Sequence, residues 1–250
     1  VAPRVDYEVH GEGYAQGRRA DPRIEARIHA ALGDARTVVN VGAGTGSYEP
    51  RDCWLLAVEP SATMRAQRSP DAAPCIDASA EALPLDDDSV DAAMACVTIH
   101  HWTDRARGLA ELRRVARGPV VVFTFDLSTL IEWQRDYFAP LLEIEAPRFG
   151  TPEEVAAELG GQVRIETIPT PADCADGFFE AYWNRPETML DPQVRGTQSI
   201  WELVDGEEEQ GIVDRLATDL ASGRWDADHG ALRNQASYEG SLRLVISEPA

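Results

Sequence analysis

Gly42, Gly44 and Gly46 fall at alternate positions directly behind the β-favouring run Thr37-Val38-Val39-Asn40-Val41. Glycine admits backbone conformations and a close ligand approach that a Cβ obstructs, so the loop can turn its N–H groups toward a bound molecule. The next apolar run, Trp54 to Val58, ends in Glu59-Pro60. That is the separation, about 20 residues, expected of an acidic partner to such a loop. An acceptor-only carboxylate there can take both hydroxyls of a ribose. His100 and His101 supply a different chemistry, since an imidazole accepts a proton near neutrality. On an extended backbone neighbouring side chains point to opposite faces, so only one of the two would reach a cleft. Asp126 lies just past a later apolar run and could orient such a base.

Several classes are excluded or weakened. A dinucleotide fingerprint needs G-x-G-x-x-G/A, and here Ser47 holds the last position while Gly46 comes one residue early. A Walker A loop needs a lysine, and all 23 basic residues are arginine; Schiff-base chemistry is excluded on the same ground. The net charge of −20, with runs such as Asp86-Asp87-Asp88 and Glu207-Glu208-Glu209, argues against a nucleic-acid partner. Cys53, Cys75, Cys96 and Cys174 are scattered without metal-ligand spacing, so reduced thiols are expected, with neither disulfides nor a metal centre. No apolar run reaches the length of a membrane span, and the N-terminal residues lack a hydrophobic targeting segment. The expectation is a soluble, cytoplasmic protein with no membrane partner.

The elements that must position these residues follow from periodicity. Asp21-Pro22 starts a helix with an apolar stripe at Ile24, Ile28 and Leu32. Behind the first two strands, Ser61 opens a helix and Pro74 to Ile76 forms a short third strand. Val90 to Val97 reads as a fourth strand, Asp104 to Arg117 as a helix and Val120 to Phe125 as a fifth strand. Leu127 to Leu142 is aromatic-rich and expected to be helical; Thr151-Pro152 caps another helix. Gln162 to Ile168 and Ser241 to Ser247 alternate as sixth and seventh strands, with roughly 70 residues between them, too many for a hairpin.

Taken together, the glycine loop, Glu59, Ser79-Ala80-Glu81-Ala82-Leu83-Pro84 and Val90-Asp91 followed by His100-His101-Trp102 resemble class I S-adenosylmethionine-dependent methyltransferases over residues 7–125. The resemblance implies an α/β fold: a doubly wound, seven-stranded, mostly parallel Rossmann-like sheet with a helical cap and with the last strand antiparallel between the fifth and sixth. It divides the chain into an N-terminal arm and first helix (1–36), a cofactor-binding core (37–169 and 236–250) and a cap insert (170–235). The implied cofactor is S-adenosylmethionine, held by Asn40, Gly42, Gly44, Gly46, Glu59, Pro60, Asp77, Ser79 and Ala80, with Tyr14 and Arg18 from the arm. Asn40 departs from the family, where an acid is commoner, and Gly118-Pro119 from the usual glycine pair. The implied activity is methyl transfer to a small organic molecule, with oxygen acceptors favoured and His100, His101 and Asp126 as catalytic candidates. The alternative is a cofactor-binding fold that does not methylate, serving a cyclisation or a regulatory role. The insert, rich in Phe178, Phe179, Tyr182, Trp183 and Trp201, is expected to act as a lid, with Tyr182 and Trp183 facing the substrate and Arg185 holding an anionic group on it.

Overall fold

The computed structural model describes residues 17–249. Helix α1 (Pro22–Ala31) begins where Asp21 accepts a hydrogen bond from the Arg23 N–H at 3.0 Å, and it buries Ile24 and Ile28. The chain continues through β1 (Thr37–Val41), β2 (Trp54–Val58), α2 (Ala62–Ala66), β3 (Cys75–Ile76), β4 (Ala92–Cys96), α3 (Arg105–Val115) and β5 (Val120–Phe125). After β5 come α4 (Glu132–Tyr137), α5 (Ala139–Phe149), α6 (Pro152–Leu159) and β6 (Gln162–Thr167). The insert opens with β7 (Thr170–Pro171), runs through α7 (Pro192–Arg195), α8 (Gly206–Ala221) and α9 (Arg224–His229), and closes with β8 (Ser237–Tyr238), which pairs with β7; β9 (Leu242–Glu248) follows.

Seven strands form one sheet in the order β3-β2-β1-β4-β5-β9-β6, parallel except for β9, which pairs antiparallel with both β5 and β6. Every residue of β5 is buried, as is expected of a strand covered on both faces. On one face Ile24 and Ile28 of α1 pack with Val38, Met94 and Phe123; on the other, Leu109 and Leu112 of α3 pack with Val39, Val41 and Val122. Strand order reverses between β1 and β4, the point at which doubly wound sheets bind ligands beyond their carboxyl ends. Among the described residues no helix is long and apolar enough to cross a membrane.

The stretch Leu127 to Leu142, expected to be helical, is a 3₁₀ turn (Leu127–Thr129) followed by α4 and the start of α5. Pro140, in the first turn of α5, has no N–H to continue the α4 ladder. A third apolar cluster joins these helices to the insert: Trp133 of α4, Trp183 and Trp225 are all fully buried, with the Trp133 and Trp225 ring centroids 5.6 Å apart. The insert therefore shares its core with residues 131–142.

Candidate active site

A cleft of about 460 Å³ opens beyond the carboxyl ends of β1, β2 and β4. Gly42 sits at φ 68°, and a Cβ there would fall 2.0 Å from Thr98 Oγ1, so only glycine lets the loop lie against the end of β4. The Gly44 N–H donates to Glu59 Oε2 at 2.8 Å and the Ser61 N–H to Oε1 at 2.9 Å. Burial pushes the Glu59 carboxyl up from its ordinary range, against the pull of these two hydrogen bonds. A carboxylate oxygen has a second lone pair, so both remain able to accept from a molecule in the cleft.

Asn40 is 1% exposed in the same wall. Its Nδ2 donates to Glu49 Oε1 at 3.1 Å, whereas its Oδ1 is buried with no partner among the described residues. An orphaned buried acceptor is costly unless a donor meets it, and a cationic N–H donor does so best.

Arg18, Gly42, Gly44, Glu59, Pro60, Ser79, Ala80 and His101 line the cleft with Asn40. Gly46 and Asp77 do not. Gly46 turns the loop at φ 98° against Glu49 and Arg68, and Asp77 is paired with Arg65 at 3.0 Å and largely exposed. Tyr14 lies outside the described residues. Arg18 is bound to Asp176 at 2.6 Å, and Tyr48 donates to the same carboxylate at 2.7 Å; no sequence pattern points to Asp176 or Tyr48.

The two histidines are not on an extended backbone. Ile99–His101 is a 3₁₀ turn, and the rings lie together with centroids 3.7 Å apart. His100 is buried, stacked on Phe149 at 3.9 Å, and lines a second cavity; His101 lines the cleft. Burial holds the His100 imidazole well below its ordinary range, and His101, Arg148 and Arg18 push it the same way, so it is neutral. Arg148 lies 3.2 Å from His101 Nδ1 and is paired with the buried Glu145. Asp126 does not join them. It accepts from Ser128 and pairs with Arg243 at 3.3 Å, and it lines neither cavity.

The second cavity, about 70 Å³, is walled by Phe125, Leu142, Phe149, Phe178, Phe179 and Ile200, with Glu145 and Glu180 as buried acids. Arg18 and Val97 belong to both walls, so the two spaces adjoin. Val97 stands at φ 51°, an outlier for a β-branched side chain, fixed by its N–H donating to Phe123 O at 2.8 Å. The insert reaches this cavity through Phe178, Phe179 and Ile200, not through the expected Tyr182 and Trp183. Trp183 is core, its indole N–H donating to Pro171 O at 3.4 Å, and Arg185 is turned onto the Tyr182 ring and the Ala181 carbonyl.

Residues 39–122 match a family described as a methyltransferase domain. Uncharacterized methyltransferases of Mycobacterium bovis and Mycobacterium tuberculosis are 37% identical over 114 residues; the match spans 42% of this chain and 44% of the length of each of these relatives. Among solved structures, a putative methyltransferase from an antibiotic biosynthesis pathway of Anabaena variabilis is 30% identical, with 93% of this chain and 99% of that one covered and a TM-score of 0.86. The (4+2) cyclase SpnF shares the fold at 13% identity and a TM-score of 0.56, with 98% and 94% covered.

Proposed function

We propose a reaction for a chain that belongs to the class I S-adenosylmethionine-dependent methyltransferases: transfer of the cofactor's methyl group to a small organic molecule whose reacting end enters the apolar cavity beyond Val97. The observation that carries this reading is the shared wall, Arg18 and Val97, between that cavity and the cleft. When bound, S-adenosylmethionine supplies a methyl carbon already made electrophilic by its sulfonium. In this reading Glu59 accepts from the ribose hydroxyls, Asn40 Oδ1 from the ammonium, and Ser79 with the Ala80 backbone meets the adenine edge. Two features of the cleft support the fit: among the described residues Asn40 Oδ1 is a buried acceptor without a partner, and the Glu59 carboxylate lies in the same wall.

What remains for the protein is to align a nucleophile and exclude water. Phe125, Phe149, Phe178 and Phe179 do the excluding. Neither histidine is poised as a base: His100 is neutral and buried, and Nδ1 of His101 faces an arginine, which can only donate. The cavity's buried acids are engaged, Glu145 by Arg148 and Glu180 by Thr170 and Ser241. The sequence favours an oxygen acceptor, for which a base is useful; with these four groups occupied, the reading extends to an acceptor whose lone pair is available at neutral pH, an uncharged amine or a stabilised anion.

The test is incubation of the protein with methyl-labelled cofactor and a fractionated metabolite extract, beside the variant Ile200→Trp, which fills the second cavity. Label should pass to a small molecule with the wild type and not with the variant, while both bind S-adenosylhomocysteine. Turnover of a substrate with the cofactor left intact would overturn methyl transfer in favour of a non-methylating reaction. Unchanged transfer by Ile200→Trp would place the acceptor elsewhere.

A further inference from the structure

The loop carries a buried ion pair that the resemblance does not assign. Glu49 and Arg68 are both under one-tenth exposed at their side chains, and Arg68 Nη2 donates to both Glu49 oxygens at 2.9 Å. The same guanidinium donates to the Gly44 and Ala73 carbonyls, at 3.3 Å each. Gly46 is what admits the pair. A Cβ there would lie 3.1 Å from Glu49 Oε2 and 3.2 Å from Arg68 Nη1, in a backbone conformation that side chains resist. The third glycine therefore serves the ion pair below the loop, not the cleft above it.

The ion pair fixes an amide. The two ends of an asparagine side chain are interchangeable in shape, and their assignment rests on their partners. Glu49 Oε1 can only accept, so the Asn40 end 3.1 Å from it is the NH₂ and the orphaned end is the oxygen. A charge at position 40 itself would be an acid at 1% exposure. Here the charge sits one contact away, on Glu49, where Arg68 balances it.

We propose that Glu49 and Arg68 are positioning residues that hold Asn40 Oδ1 outward as the acceptor for the cofactor's α-ammonium. The inference rests on the cleft being the S-adenosylmethionine site, as read above. It makes recognition of the ammonium depend on a residue that never touches it.

The experiment is calorimetric binding of S-adenosylhomocysteine and of its analogue lacking the α-amino group, which reads cofactor recognition without turnover. The wild type should prefer the amino form by about 10- to 150-fold, the range of a hydrogen bond to a charged group. In Glu49→Gln the neighbour can either donate or accept, the amide is released to flip, and the preference should fall to about threefold or less. Asn40→Ala should show the same loss. The double variant Asn40→Asp with Glu49→Gln places the carboxylate at position 40 with an amide donor behind it, and should restore the preference. A wild-type preference in Glu49→Gln would overturn the positioning role, and one in Asn40→Ala would remove the contact itself. Should Glu49→Gln fail to fold, Glu49→Asp, whose shorter side chain withdraws the acceptor from Asn40, decides: a wild-type preference there sinks the proposal. Failure of the wild type to bind either thioether is a separate outcome that removes the cofactor reading beneath it.

Discussion

Arg148 lies 3.2 Å from Nδ1 of His101, and Glu145 holds the same guanidinium through a buried ion pair. An arginine has no lone pair to offer, so Nδ1 is the acceptor and the ring proton sits on Nε2. His101 is thereby a hydrogen-bond donor at its other edge. A side-chain general base contributes about 10²- to 10⁴-fold to rate. With the methyl acceptor in hand, His101→Gln, which keeps an amide donor, should slow turnover by less than about tenfold, well under that range. A fall of a hundredfold or more in single-turnover rate would make His101 the base after all.

Glu59 ties Gly44 to Ser61 and faces the cleft. Glu59→Ala should weaken S-adenosylhomocysteine binding by roughly 1.5–3 kcal/mol, as for hydrogen bonds to a charged group. Glu59→Gln, which keeps one neutral acceptor, should fall between the alanine variant and the wild type. Calorimetry giving an unchanged dissociation constant for the alanine variant would remove Glu59 from the site.

Trp183 has no exposed surface and lies in the cluster shared by the insert and α4. Trp183→Ala should lower unfolding free energy by roughly 3–5 kcal/mol, the loss for a buried large aromatic. Cofactor affinity of the folded variant should be unchanged. A normal urea midpoint would contradict the packing described.

Asp21 caps α1 and reaches across to the Ala175 N–H at 2.9 Å. Burial pushes its carboxyl up, but the hydrogen bonds from Arg23 and Ala175 outweigh it and hold the group at about 2, below the ordinary 3.8. A depressed acid stabilises the fold above its unfolded value and loses that contribution as pH falls through the folded one. Asn caps a helix as well as Asp does, so Asp21→Asn isolates the charge. The variant should be about 2 kcal/mol less stable near neutrality, with the difference vanishing as pH falls from 3.8 to 2. A gap between the two urea curves that is independent of pH would refute this.

The sheet and the glycine–carboxylate pair were legible because both are written in short-range patterns: runs of Val and Ala, alternate glycines, a fixed distance to Glu59. The partners that give the site its character are not local. Arg18 meets Asp176 across 158 positions, and Arg148 meets His101 across 47. Asp126 lies next to the end of β5 in the chain, but its partner Arg243 comes from the antiparallel β9, which no local pattern reveals. The insert's aromatics cannot be sorted from sequence, since Trp183 in the core and Phe179 at the cavity look alike in composition.

The position of β9 has a kinetic consequence. β5 and β6 do not pair with each other; each is completed by β9, which the chain reaches only after the whole insert. Until β9 docks, one edge of β5 is open and β6 has no ladder, a non-local closure of the kind that slows folding and exposes strand edges. The insert lessens the search. Glu180 accepts from the Ser241 N–H at 2.5 Å, and the Ser241 carbonyl accepts from the Asp126 N–H at 2.7 Å, so a folded insert delivers the start of β9 to the end of β5. In pulse-labelled hydrogen exchange during refolding, amides of 242–248 should gain protection last, and later still in Glu180→Ala.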